Sequence, residues 1–214
     1  MRTFARLAGL GLIAMLGLGT PRATAADKPV VVIETSMGNI TVELEPERTP
    51  KTVANFLKYV DKEFYNGTVF HRVMGPGPAN PDGFMVQGGG MTADLKEKKG
   101  DKAVVNESLV PNPKGISNMR GTIAMARTSD PDSATTQFFI NLADRNKFLD
   151  GPPQAPDGYT AFGRVIAGMD VVDKIAKVET GDGLLTDQQG RRAQAGDVPV
   201  KPVTIKSIKR KAAK

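Results

Sequence analysis

Eight short stretches rich in β-branched and aromatic residues, against only two with helical periodicity, limit what this chain can fold into. Strands are predicted over 30–35, 40–44, 68–73, 84–88, 122–126, 138–141, 159–165 and 203–208. Ile40-Thr41-Val42-Glu43-Leu44 alternates apolar with polar, as a half-buried strand should, and Met37-Gly38-Asn39 turns the chain back onto 30–35. Thr49-Pro50 opens the first helix, with threonine as N-cap and proline at the first position. Val53, Phe56, Leu57 and Val60 give it one apolar face, and it is expected to end near Asn66-Gly67. A second helix over 168–178 turns Val171, Val172 and Ile175 inward. Many short strands with two helices imply a mainly β fold: a closed eight-stranded antiparallel barrel, whose closure removes exposed edges, with the helices capping its ends. The polar segments 75–82, 92–115, 151–157 and 180–199 read as loops on its surface.

The first 25 residues read as a signal peptide. Arg2 and Arg6 form a basic start, 7–19 is uncharged and apolar, and Ala23-Thr24-Ala25 is a small-residue cleavage site. The remainder, 26–214, suits one domain. Export to the periplasm is expected, with no membrane attachment after cleavage. The chain has no cysteine, which excludes thiol redox chemistry and disulfides. Its formal net charge of +6 falls to +3 once Arg2, Arg6 and Arg22 are set aside. The lysine-rich C-terminus has no interleaved aromatics, so a solvated tail is expected and no nucleic-acid partner. One histidine and no cysteine argue against a metal site. Gly88-Gly89-Gly90 lacks the lysine and spacing of a phosphate loop and reads as a turn at a strand end.

Three segments carry chemistry. Phe70-His71-Arg72 supplies a permanently charged donor. Phe84-Met85-Val86-Gln87-Gly88-Gly89 supplies apolar surface and an amide. Met125-Ala126-Arg127 leads on to Gln137-Phe138-Phe139-Ile140-Asn141. None offers a serine–histidine pair or paired carboxylates, so the set can bind and polarise but holds no evident nucleophile. Phe148-Leu149-Asp150-Gly151 and Phe162-Gly163-Arg164-Val165 follow in order.

These motifs, in this order, resemble the cyclophilin family of peptidyl-prolyl cis/trans isomerases over 28–209, and Gly121-Thr122-Ile123-Ala124-Met125-Ala126-Arg127-Thr128 is similar to its bacterial exported branch. The resemblance implies an isomerase of Xaa-Pro bonds that assists folding of exported proteins. Its partners would be unfolded or extended proline-containing chains, with no cofactor and no metal, and it would work as a monomer. It implies Arg72 as the catalytic residue. Phe84, Met85, Phe139 and Leu149 would line a proline pocket. Gln87 would bind substrate backbone and help hold Arg72. Ala126, Arg127 and Gln137 would flank the adjoining groove, and His71 would neighbour the site without acting as a base. Phe148 and Tyr159 stand where many relatives carry tryptophan and histidine. Loss of the indole N–H implies weak cyclosporin binding. The 75–82 insertion lies between the two halves of the motif set, where it would narrow or extend the groove.

Overall fold

The computed structural model describes residues 28–78, 80–151 and 157–212. The signal segment expected at 1–25 lies outside them. Ten strands are formed: β1 Val30–Thr35, β2 Gly38–Leu44, β3 Thr68–Met74, β4 Met85–Thr92, β5 Thr122–Met125, β6 Phe138–Asn141, β7 Ala161–Ala167, β8 Thr180–Thr186, β9 Arg192–Pro199 and β10 Val203–Arg210. Two α-helices, α1 Pro50–Asp61 and α2 Met169–Ile175, and a 3-10 helix Asp144–Asp150 complete the set. Eight strands close an antiparallel barrel in the order β1-β10-β3-β4-β6-β5-β7-β2. The expected architecture is therefore the observed one.

Side-chain alternation explains the closure. Ile40, Val42 and Leu44 of β2 are buried while Asn39 is exposed, and Val31 and Ile33 of β1 do the same. The inward residues meet both helices in one core. Phe56 of α1 packs on Phe162 at 5.1 Å and edge-on to Phe138 at 5.8 Å. Val171, Val172 and Ile175 of α2 join the same cluster.

Four local expectations differ from the structure. First, α1 stops at Asp61, because Glu63 adopts a left-handed backbone (φ 53°) that turns Phe64 and Tyr65 back into the core. Second, the Thr49 hydroxyl does not cap α1; it donates to the Glu45 carbonyl. The cap comes instead from the Glu107 carboxylate, which accepts from the N–H groups of Lys51 (3.2 Å) and Thr52 (2.8 Å) and from the Thr52 hydroxyl (2.8 Å). Third, Gly88-Gly89-Gly90 lies inside β4 and not at a turn. A Cβ on Gly89 (φ 90°) would sit 2.5 Å from the Phe138 ring, and one on Gly90 would sit 2.4 Å from Gln137 Cγ, so only glycine lets the strand pass these side chains. Fourth, most of 180–199 is not a loop. β8 and β9 form a hairpin outside the barrel, with Gly183 opposite Ala195 and Thr186 opposite Arg192. The far end of β8 is pinned by Thr186, whose N–H donates to Leu95 O (2.9 Å) and whose carbonyl accepts from Glu97 N–H (2.8 Å).

Candidate active site

A second, smaller apolar cluster lies apart from the barrel core. Met85, Ile116, Ala124, Phe139, Leu149 and Ala161 are buried in it, with Phe84, Ala126 and Tyr159 packed against them. The reason is topological. Met85 and Phe139 sit on β4 and β6 at positions that alternate with the core residues Val86, Phe138 and Ile140, so the outer face of the barrel wall carries its own apolar patch. A cavity of about 180 Å³ opens on this patch. Its wall combines Phe84, Met85, Phe139 and Leu149 with Ala126, Arg127 and Tyr159, and Arg72 and Gln87 stand at one side.

Buried asparagines hold that wall. Asn146 donates to the carbonyl of Phe84 and to Asn141 Oδ1, both at 2.7 Å. Asn141 Nδ2 donates to Asn118 Oδ1 (3.1 Å) and Thr122 Oγ1 (2.9 Å). Asn118 Nδ2 donates to the Tyr159 carbonyl (3.0 Å) and to Asp150 Oδ1 (2.9 Å), which also accepts from the Asn118 N–H. One connected network therefore fixes the backbone at Phe84 and Tyr159 and the end of the 3-10 helix that carries Leu149. All three side-chain NH2 groups find acceptors, while Asn146 Oδ1 has no partner among the described residues; a connected buried network of this kind favours one arrangement. Of the three asparagines, only Asn141 lies in a motif segment, and nothing in the sequence joins them.

Arg127 and Tyr159 form a rigid side wall. The Arg127 guanidinium lies 4.3 Å from the Tyr159 ring centre and donates to the carbonyls of Gly158 (3.0 Å) and Thr128 (2.9 Å). Tyr159 meets Phe139 edge-on at 5.8 Å. Phe148 does not line the cavity; it stacks on Phe84 at 5.7 Å and stays 39% exposed at the rim.

Arg72 and Gln87 face one another across the β3–β4 ladder. The expected hydrogen bond between them is absent. Gln87 Nε2 instead donates to Gln137 Oε1 (2.9 Å), and Gln137 Nε2 donates to Glu97 (3.3 Å), because Gln137 precedes β6 and reaches across β4 from the far side. The nearest carboxylate to Arg72 is Asp197 of β9, with Nε to Oδ2 at 4.0 Å. Both side chains are nearly half exposed, so this pair contributes little stability. Arg72 borders both the apolar pocket and the larger cavity beside it. Gln137 lines two adjoining cavities but not the apolar one.

His71 is buried on β3. Desolvation pushes its pKa down from 6.5 to about 4, and its Nδ1 has no partner among the described residues. It is neutral near pH 7 and borders the larger cavity on the Arg72 side. None of the described residues of 75–82 lines a cavity that Arg72 shares. Gly75 lies against the Ala176 carbonyl at the end of α2.

Comparisons with known proteins give the family and the fold. The family model for cyclophilin type peptidyl-prolyl cis-trans isomerases matches residues 30–210. Peptidyl-prolyl cis-trans isomerase A of Dickeya dadantii is 44% identical over 203 residues, covering 95% of each chain. Peptidyl-prolyl cis-trans isomerase B of Escherichia coli is 42% identical over 181 residues, covering 84% of this chain and 98% of that one. Among solved structures, a cyclophilin type isomerase of Cryptosporidium parvum shares the fold with a TM-score of 0.62 at 22% identity, over 87% of this chain and 99% of that one.

Proposed function

Because the chain belongs to the cyclophilin family and is a cyclophilin-type peptidyl-prolyl cis-trans isomerase, we propose that it accelerates Xaa-Pro isomerisation in exported proteins and that Arg72 carries the catalysis. The single observation behind this mechanism is the junction of a charged donor with an apolar, ring-sized pocket.

Amide resonance sets a barrier of ~18–20 kcal/mol to rotation about the bond. Resonance is lost as the amide twists. The prolyl nitrogen then becomes pyramidal and can accept a hydrogen bond, which it cannot do in either planar state. A donor aimed at that nitrogen binds the twisted form better than either ground state, and only such differential binding raises the rate. Arg72 suits the role because its guanidinium never deprotonates and presents donors in a fixed plane. Phe84, Met85, Phe139 and Leu149 hold the proline ring while the chain on the other side of the bond turns. Gln87 keeps a carbonyl oxygen free for substrate backbone, since its amide group is committed to Gln137. Ala126 and Arg127 border the groove where the flanking chain runs.

Export follows from the amphiphilic N-terminal segment, and the protein acts in the periplasm as a monomer on extended proline-containing chains. Intact mass of the protein from the periplasmic fraction tests this; a chain beginning at Ala26 is expected, and one retaining Met1 in the cytoplasm refutes it.

The test of mechanism is cis-to-trans exchange of a short Xaa-Pro peptide by wild type and Arg72→Ala. Loss of one preorganised donor is expected to cost ~3–4 kcal/mol, or about 10²–10³ in kcat/KM. A mutant within threefold of wild type refutes the role of Arg72, and no acceleration by wild type refutes the isomerase reading at this site.

A further inference from the structure

One edge of β9 is paired with β8, and its other edge has no partner strand among the described residues. Along that edge Arg192, Ala193, Gln194 and Gly196 are exposed. Residues 192–196 all line one cavity of about 720 Å³, whose opposite wall includes Arg72, Gln87 and Gln137. Successive side chains of a strand point to opposite faces. Both faces of β9 therefore border the cavity, as they do where a strand presents its backbone edge, and Leu185 of β8 reaches it as well. This cavity is continuous with the apolar pocket, because Arg72 and Gln87 border both.

We propose that the free edge of β9 binds the extended chain flanking the proline, which adds to the β8–β9 hairpin as a third strand while the proline occupies the apolar pocket. This rests on the isomerase reading and extends it to the substrate's flank. Three further features fit. The hairpin is held rigid, since Thr186 bonds to both Leu95 and Glu97. The strand also lies against β3, next to Arg72. Asp197 takes a left-handed backbone (φ 60°) within β9, where the register with β8 shifts, and its carboxylate lies 4.0 Å from Arg72. At ~3.3 Å per residue the five-residue edge spans roughly 16 Å, so it takes about five residues of flank. Recognition through main-chain hydrogen bonds tolerates many sequences, as an acceptor of unfolded chains requires.

The experiment compares a four-residue Xaa-Pro peptide with ten-residue peptides that extend it on the N-terminal or the C-terminal side. Wild type should act on one extended peptide with kcat/KM at least fivefold above the tetrapeptide. Two changes should erase that advantage and leave the tetrapeptide rate within about twofold. One is a shortened hairpin with residues 185–193 replaced by Asn-Gly. The other is N-methylation of alternate flank amides in the peptide, which needs no altered protein. Equal rates on long and short peptides, or an advantage that survives N-methylation, overturn the proposal. No turnover of any peptide by wild type overturns the isomerase reading itself, a result distinct from the first two.

Discussion

Removing the Glu107 carboxylate should destabilise the fold out of proportion to its distance from any helix in sequence. Glu107 is only 8% exposed, and its two oxygens accept from Lys51 N–H, Thr52 N–H and the Thr52 hydroxyl. With Pro50 at the first position of α1, Lys51 and Thr52 carry N–H groups that no preceding helical turn can satisfy. No acidic residue lies within the first turn, so Glu107 also supplies the only negative charge the described residues bring to this cap. A lost cap costs ~1–2 kcal/mol. The uncapped N–H groups stay in a buried setting, which raises the loss to about 3 kcal/mol for Glu107→Ala. For a domain of this size each kcal/mol moves Tm by ~2–4 °C, so a fall of roughly 6–12 °C is expected. Glu107→Gln keeps the shape and one acceptor oxygen and should lose about half as much. Thermal melts followed by circular dichroism, with urea melts to check that the slope is unchanged, decide it. If Glu107→Ala melts within 2 °C of wild type, the long-range cap is not an energetic feature of the fold. If Glu107→Gln equals Glu107→Ala, the charge carries all of the effect.

Three more outcomes follow from the site. His71 has a lower pKa folded (about 4) than unfolded (6.5), so the folded state resists protonation. Its contribution is complete above pH 6.5 and is lost as pH falls toward 4; urea melts should show about 2–3 kcal/mol less stability at pH 4.5 than at pH 7, and His71→Gln should flatten that part of the profile. Asn141→Ala leaves Asn118 and Asn146 short of partners and should cost ~2–3 kcal/mol in urea melts and lower kcat/KM for a tetrapeptide, since the backbone at Phe84 loosens. Phe148→Trp places an indole N–H at the exposed rim and should tighten cyclosporin binding about three- to tenfold by calorimetry, the worth of one added hydrogen bond; an unchanged Kd refutes the assignment of that position.

The barrel was legible because its strands bury alternate residues, and burial leaves a period in the sequence. Val31, Ile33, Ile40, Val42 and Leu44 show it without any structure. The apolar pocket was foreseen only through the family resemblance, which the ordered motifs holding Phe84, Met85, Phe139 and Leu149 carry. The β8–β9 hairpin was not, because its residues are largely exposed and glycine-rich, and pairing alone makes them strands. The cap was hidden for a different cause. Thr49 satisfies every local rule for an N-cap, yet its hydroxyl is taken by Glu45, and the group that replaces it lies 55 residues beyond Thr52. The asparagine network is equally invisible, since Asn118 lies in a loop, Asn141 at a strand end and Asn146 in the 3-10 helix, with no shared pattern. The resemblance implied that Gln87 helps to hold Arg72; the two are register partners, but Gln137, just before the neighbouring strand, takes the Gln87 amide instead.

Closure of this barrel joins β1 to β10, with Val31 opposite Arg210 and Ile33 opposite Ile208. The first strand thus waits for the last. While the ribosome is still making the chain, β1 can pair with β2 but its other edge must stay open until some 170 further residues have been synthesised. Non-local pairing of this kind slows folding. That delay leaves β1 without its second partner for as long as β10 is missing. The same seam that seals the finished protein acts beforehand as a timer, set by how long β10 takes to be made.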